Sequence, residues 1–478
     1  MIVAKLILYD IMCAHITIRL LLMATSIFAK QVLTSSGWQE NVAIHIDDEG
    51  YISAISKSQG GEDHRVGILL PALSNLHSHS FQRAMAGLAE KRGSNPIDDF
   101  WTWRKVMYRF LEILKPHDVE AIAAQVQMEM LESGYASSAE FHYLHHDHNG
   151  AHYDNVAELS ERLFQASLNT GIGYTHLPVL YMHGGLDKRK LQGGQLRFGC
   201  NIDEYQSLHS QLSQGMKRLP NDFVLGVAPH SLRAVTNEGL LIANNLDKST
   251  PMHIHIAEQQ NEVNEVMNAL NKRPVRWLLD NFDVEKRWCL IHATHMDENE
   301  VLDLAKSGAV AGLCPITEAN LGDGIFDANK FLQAGGRFGL GSDSNVKIAL
   351  SEELRMLEVS QRLRDQRRVV LSTEETPSNG RYIYERAATG GAQALGRNAG
   401  RIEVGALADL VALDDEHYSI AGLSKDTVLD TWIFACGDEL VSHVWAAGRH
   451  VVSDGAHIRH DEITNQFKQT MQRLRKEL

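Results

Sequence analysis

The chain is short of cysteine, of net positive charge and of long apolar runs, and each shortage narrows what it can be. Its five cysteines, Cys13, Cys200, Cys289, Cys314 and Cys436, lie far apart, and none belongs to a CxxC pair. A disulfide-stapled fold, a zinc ribbon and a thioredoxin-like redox site are thereby disfavoured, and scattered thiols fit a reducing compartment. Lys and Arg number 46 against 60 Asp and Glu, a formal charge of −14 with a pI near 5.9. So acidic a chain lacks the basic footprint of a nucleic-acid binder and the attraction to anionic lipid. An anionic substrate then needs a local group of arginines. The first 22 residues are apolar, but Lys5, Asp10 and Arg19 break them below the ~20 residues that cross a bilayer. Residues 20–29 come nearest to a signal-peptide core, and Thr25 and Ser26 dilute them. Translation from Met23 would remove most of this extension, and the expected location is cytoplasmic. No repeat and no low-complexity segment is present.

What remains is a chain of 478 residues, 44% hydrophobic and 22% charged, long enough for one large barrel and a smaller domain. Short strand-like runs occupy 26–32, 41–46 and 51–56, with a DDEG turn at 47–50, and the texture returns at 401–404, 408–413, 443–445 and 449–453. Between these ends, apolar strand-like runs (69–75, 223–228, 252–257, 287–292, 309–314, 337–342) alternate with helical stretches (116–133, 154–170, 262–271, 298–307, 351–368). The pattern predicts an α/β fold, a (β/α)8 barrel over 71–395. A small β-sandwich domain is expected from both ends, residues 23–70 and 396–478, with a C-terminal helix.

Histidine is abundant, at 24 residues, so a metal site here would be built from imidazole and carboxylate. Three HxH pairs occur, at 77/79, 146/148 and 253/255, where about one is expected by chance. His77 and His79 follow the first barrel run, at the end of a strand where barrel enzymes keep their chemistry, and alternate residues of a strand share a face. His253 and His255 are followed by Glu258; His292 follows the run 287–291; Asp343 follows 337–342. Taken alone, His253 reads as a buried strand residue and Asp343 as a helix N-cap. Taken in order, four strand ends deliver HxH, His, His and Asp, three imidazoles and a carboxylate with one histidine to spare. The cluster His142, His145, His146, His148 and His152 has no carboxylate set to complete it, and the RLRDQRR run at 362–368 reads as a solvated helix face.

This ordered set resembles the amidohydrolase superfamily over residues 25–455, including GRIEVGALADLVALD at 400–414. The stretch VLGVAPHSLRAV at 224–235 carries neither a lysine nor a glutamate to bridge two metals, which resembles the mononuclear deaminase branch. Longer motifs, NLHSHSFQRAMAGLAE (75–90), WTWRKVMY (101–108), AEFHYLHH (139–146), APHSLRAV (228–235) and CPITEANLGDG (314–324), are similar to the formimidoylglutamate deiminase family. The resemblance implies one zinc ion held by His77, His79, His255 and Asp343, with His292 and Glu258 acting beside it. It implies further that Gln82 meets the formimino group, that Tyr143, His230, Arg104 and Arg233 hold two carboxylates, and that the chain forms a homodimer.

The implied reaction, hydrolysis of N-formimidoyl-L-glutamate to N-formyl-L-glutamate and ammonia, needs an activated water and an acid for the leaving nitrogen. Asp343, His292 and Glu258 are the proton-handling residues, and which moves each proton stays open. Arg104 and Arg233 suit a dicarboxylate because guanidinium offers a bidentate fork. Two other readings are carried forward. A mononuclear deaminase of a purine or pyrimidine would use the same ligands with an apolar stacking pocket in place of the arginines. A non-catalytic barrel, kept for binding or assembly, would have lost ligands, and here none is missing. The same ligand set also suits other divalent metals.

Overall fold

The computed structural model describes residues 24–88, 90 and 100–477, without the side chains of 100–105; the N-terminal extension and Met23 lie outside the described residues. The chain opens with four strands, β1 (Thr25–Thr34), β2 (Gly37–Ile46), β3 (Ile52–Lys57) and β4 (His64–Pro71). Nine strands follow: β5 (Leu73–Asn75), β6 (Tyr135–His142), β7 (Gly173–Leu180), β8 (Phe223–Leu225), β9 (Ala228–Pro229), β10 (Met252–Ile256), β11 (Trp288–His292), β12 (Val310–Leu313) and β13 (Arg337–Leu340). The chain then returns through β14 (Leu410–Leu413), β15 (Val441–Ala446), β16 (Arg449–Ser453) and β17 (Ala456–His457), and ends in the helix His460–Glu477.

Strands β5 to β13 pair in parallel, with β13 joined to β5 at Leu340 and Asn75. The remaining seam closes through a parallel bridge between Val227 and Met252, with β9 paired to β7. This is the (β/α)8 barrel that the alternation of strand and helix predicts. The fourth strand is split at Gly226–Val227 into β8 and β9, where one run was expected. The run ILLPALSNL likewise divides at Ala72, whose N–H leaves the ladder to reach Asp409 O at 2.9 Å.

The two chain ends make one eight-stranded sheet in the order β17-β16-β15-β14-β4-β1-β2-β3, antiparallel except for β1 beside β4. Period-two alternation explains how it docks. Ile68 and Leu70 of β4, with Val411 and Leu413 of β14, face the barrel core; Leu69, Leu410 and Ala412 turn the other way, onto Ile27, Ile44 and Trp445. Both faces of these strands are buried, hence their unbroken apolar runs. The DDEG turn forms as expected, with Gly50 N–H on Asp47 O at 3.1 Å and Gly50 at φ +86°. Residues 401–404 form no strand; they run as a bend into a turn whose Gly405 N–H meets Ile52 O. The helix Leu350–Asp365 ends before the RLRDQRR run does, because Gln366 turns left-handed at φ +52°. Two of the run's four arginines are ion-paired, Arg362 with Glu358 and Arg364 with Asp365, each at 2.6 Å.

A buried ion network ties the small sheet to the base of the barrel. Arg397 meets Asp409 at 3.0 Å and Asp222 at 3.4 Å, and Arg449 meets Asp222 at 2.6 Å. Burial pushes the Asp222 carboxyl up, but the charges of Arg449 and Arg397 outweigh it and hold the group below its ordinary value. Its folded pKa being depressed, Asp222 adds stability above the unfolded carboxylate pKa of about 4, lost as pH falls through the folded value. Arg397→Met leaves the buried Asp409 without its cation while Asp222 keeps Arg449, and is expected to cost about 3–5 kcal/mol. Urea unfolding at pH 7 would read that loss, and a variant as stable as the parent would show that the network does not hold the sheet.

Candidate metal centre and active-site cleft

The ends of four barrel strands converge. Beyond β5 and β13 the pairing continues, with Asp343 N–H donating to His77 O and His79 N–H to Asp343 O, both at 2.9 Å, so these three residues are locked in register. Gly341 allows the approach, since a Cβ there would sit 2.7 Å from His77 Cβ and 2.9 Å from its backbone nitrogen. His77, His79, His255 and Asp343 are all buried and bring one ligand atom each within 4.8 Å of one another. His77 Nε2 and His79 Nε2 each lie 3.4 Å from Asp343 Oδ1, and His255 Nε2 lies 3.0 Å from His77 Nε2.

A cation fits this set. The Nδ1 of His79 donates to Phe141 O at 2.9 Å and that of His255 to His230 O at 3.3 Å, leaving the Nε2 lone pairs aimed inward. Burial lowers the pKa of all three imidazoles, His79 to about 3, so they present neutral rings. Burial pushes Asp343 up, yet the hydrogen bond from His77 and the surrounding histidines hold it far below its ordinary value. Converging lone pairs and a carboxylate form an electron-rich point that a divalent ion satisfies.

His292 stands beside this group with Nε2 3.9 Å from both Glu258 Oε1 and Asp343 Oδ2, and Nδ1 3.2 Å from Glu318 Oε1. Burial opposes the charge on its ring, but the carboxylates Glu258, Glu318 and Asp343 push its pKa up to about 10. Glu258 is raised by burial, against the pull of His292. The backbone is strained here: Ala257, His292, Ala293, Asp343 and Asn345 all have positive φ, from +45° to +67°. Such conformations cost about 1–3 kcal/mol each for a non-glycine residue and gather where side chains must be re-aimed.

The centre opens into a cleft of about 640 Å³ lined by Gln82, Tyr143, His230 and Arg233, among others. Gln82 Nε2 donates to Tyr143 OH at 2.8 Å, while its Oε1, buried, has no partner among the described residues. Arg233 is half-buried beside Glu262 and Glu258, whose charges raise its pKa against burial. Arg104 belongs to the helix Phe100–Leu111; its side chain lies outside the described residues. His253 faces away, its Nε2 2.8 Å from Ala394 O, the buried strand role that its position suggests. His295 turns from the cleft to Asp323 O at 2.7 Å. In the 142–152 cluster, His145 is bound to Val179 O and His146 to Gly199 O.

Sequence reasoning passed over Met107, Tyr181, Phe198 and Ser344, which also line the cleft, and Glu318 behind His292. Glu318 had a signal: it is an acidic residue just after the apolar run of β12, inside CPITEANLGDG.

The amidohydrolase family model matches residues 68–451, and that described as formimidoylglutamate deiminase HutF, N-terminal domain, matches 24–65. A formimidoylglutamate deiminase of Pseudomonas aeruginosa is 47% identical over 455 residues, 94% of this chain and 99% of the relative. The chain belongs to the amidohydrolase family, in its formimidoylglutamate deiminase branch. An amidohydrolase from Brucella melitensis superposes with a TM-score of 0.90 at 44% identity, covering 94% of this chain and 99% of that one. More distant structures share the fold alone: an adenosine deaminase from Xanthomonas campestris with bound zinc gives a TM-score of 0.78 at 20% identity, covering 95% of this chain and 99% of that one. A 5-methylthioadenosine/S-adenosylhomocysteine deaminase of Haloarcula marismortui is 24% identical over 90% of this chain and 89% of the relative.

Proposed function

We propose that this amidohydrolase hydrolyses N-formimidoyl-L-glutamate to N-formyl-L-glutamate and ammonia, a step of histidine degradation, with one zinc ion per chain held by His77, His79, His255 and Asp343. The observation that carries the substrate is the 47% identity, over nearly the full length of both chains, to the Pseudomonas formimidoylglutamate deiminase. When bound, the ion supplies a water of lowered pKa and a positive charge that polarises the carbon under attack. The remaining work falls to the chain's own groups. Asp343 uses Oδ1 towards the ligand histidines and keeps Oδ2 towards His292, free to accept the proton of the attacking water. His292, between Asp343 and Glu258, orients that water and holds positive charge against the charge that develops on the substrate. Glu258, buried with a raised pKa, gives a proton to the departing nitrogen, which cannot leave as the strongly basic amide anion.

Gln82 meets the formimino group and, at the other end of the substrate, Tyr143 helps to hold the two carboxylates. His230, Arg233 and Arg104 hold the carboxylates in bidentate or charge-assisted bonds. The buried Oε1 of Gln82, unpartnered among the described residues, supports the contact with the formimino group, being an acceptor ready for an N–H of that group. The same reading makes the chain a cytoplasmic homodimer, which light scattering would test. The enzymatic test is ammonia release by metal-replete protein from N-formimidoyl-L-glutamate beside guanine, adenosine and cytosine, with metal measured on the same sample. Release from the formimidoyl compound alone, at one metal per chain, is expected; release only from a nucleobase or nucleoside would overturn the substrate.

A further inference from the structure

Glu318 is a buried carboxylate that the chemistry above leaves unused. It stands in the first turn of the helix Pro315–Leu321, 5% exposed, directly behind His292 as seen from the cleft. Its Oε1 lies 3.2 Å from His292 Nδ1 and accepts the amide N–H of Cys314 at 2.9 Å. The acceptor is therefore anchored to the end of β12 and is not a side chain free to swing. On the opposite edge of the ring, Nε2 faces the cleft, equidistant at 3.9 Å from Glu258 Oε1 and Asp343 Oδ2. His292 and Ala293 have φ of +67° and +47°, so an unusual turn throws the ring across the strand end towards Glu318.

We propose that Glu318 is a positioning residue: it accepts the Nδ1 proton of His292 in a charge-assisted bond and so fixes the ring with Nε2 towards the reacting atoms. An imidazole without this bond can flip about its ring torsion and present carbon to the cleft, or place its single proton on Nε2 when neutral. A carboxylate behind the ring removes both alternatives. The same residues have a rival use, since His292 Nδ1, Cys314 Sγ and Glu318 lie within 4.8 Å of one another and form a second group able to hold a metal. The hydrogen bonds favour positioning, because Glu318 Oε1 is already bound by two N–H donors without an ion.

The proposal rests on the deiminase reading only in that His292 acts on the substrate, and its test separates the two. Glu318→Gln, His292→Asn and the double variant are assayed with whichever compound the parent protein deaminates. Glu318→Gln keeps the one oxygen that the Cys314 amide and the His292 ring share, and removes the charge that strengthens the bond to the ring. It is expected to lower kcat by about 100-fold with KM changed less than about threefold. Metal stays at one per chain and the thermal midpoint is unchanged. In the His292→Asn background the same substitution is expected to have no further effect, as for residues acting as a unit. Independent, multiplicative losses would overturn the proposal, as would a second metal equivalent that disappears in Glu318→Gln. A separate reading needs no turnover: histidine-directed nitrogen NMR of the parent, assigned through His292→Asn, is expected to show a protonated Nδ1 on His292. An unprotonated Nδ1 would overturn the positioning role whatever the substrate is.

Discussion

Asp343→Asn is expected to abolish ammonia release, by more than about 10⁴-fold in kcat/KM, while the protein stays folded. The size follows from the two oxygens of one side chain. Oδ1 faces the ligand histidines at 3.4 Å and Oδ2 faces His292 at 3.9 Å, so one substitution weakens the metal site and removes the proton acceptor together. Asparagine has the same shape and tolerates the left-handed backbone that Asp343 adopts at φ +45°, so strain is not the cause of the loss. The amide carries no charge to offset a divalent ion, and its NH2 is a donor where lone pairs are required. Metal measured after gel filtration should fall well below the parent's, with circular dichroism unchanged. A variant that keeps both its metal and even a tenth of the parent activity would remove Asp343 from the chemistry. Alanine is the poorer probe, since without the short polar side chain the left-handed turn itself becomes costly.

How much of this was legible in the sequence depends on what each position asks of its residue. The converging group of His77, His79, His255 and Asp343 was legible because the chemistry leaves little choice of residue type, and because strand periodicity puts His77 and His79 on one face. Strands with both faces buried, such as β11 and β12, announced themselves as apolar runs. Strands β6 and β7 did not, since YASSAEFH and GYTHLPVL bury hydroxyls and imidazoles that find partners only in the folded barrel. Ser137 meets Ser74 at 2.9 Å, Thr175 meets Leu395 O at 2.9 Å and His176 meets Ser160 at 3.0 Å. No residue-type pattern reports a satisfied polar group in a core. Residues 401–404 misled in the opposite direction, being strand-like in composition but held as a bend and turn by Gly405. Glu318 was passed over despite its place after the β12 run, because a carboxylate in the first turn of a short helix reads as a surface residue until the fold turns it towards His292. Arg104 and Arg233 were chosen by resemblance; the cleft includes Arg233 on its wall.

Glu258→Gln should show a different failure: kcat lower by about 10² to 10⁴-fold, with metal content at the parent level and KM changed only a few-fold. Glu258 is not one of the four converging residues His77, His79, His255 and Asp343, so its loss leaves that group intact. Its carboxylate lies 3.9 Å from His292 and is buried, and burial raises its pKa so that a proton rests on it more readily than on an exposed glutamate. Glutamine preserves the volume and can still donate a hydrogen bond to the imino nitrogen, which maintains binding. It cannot transfer a proton, so the nitrogen would have to depart as an anion far too basic to be a leaving group. The contrast with Asp343→Asn is the useful part, one variant losing metal and activity, the other activity alone. If Glu258→Gln raised KM and spared kcat, the carboxylate would be a substrate anchor and the proton would have to come from His292, whose ring the carboxylates Glu258, Glu318 and Asp343 keep charged. In that case Glu318→Gln should be the more damaging of the two substitutions, because it alone would take the charge from the partner of the acid's Nδ1.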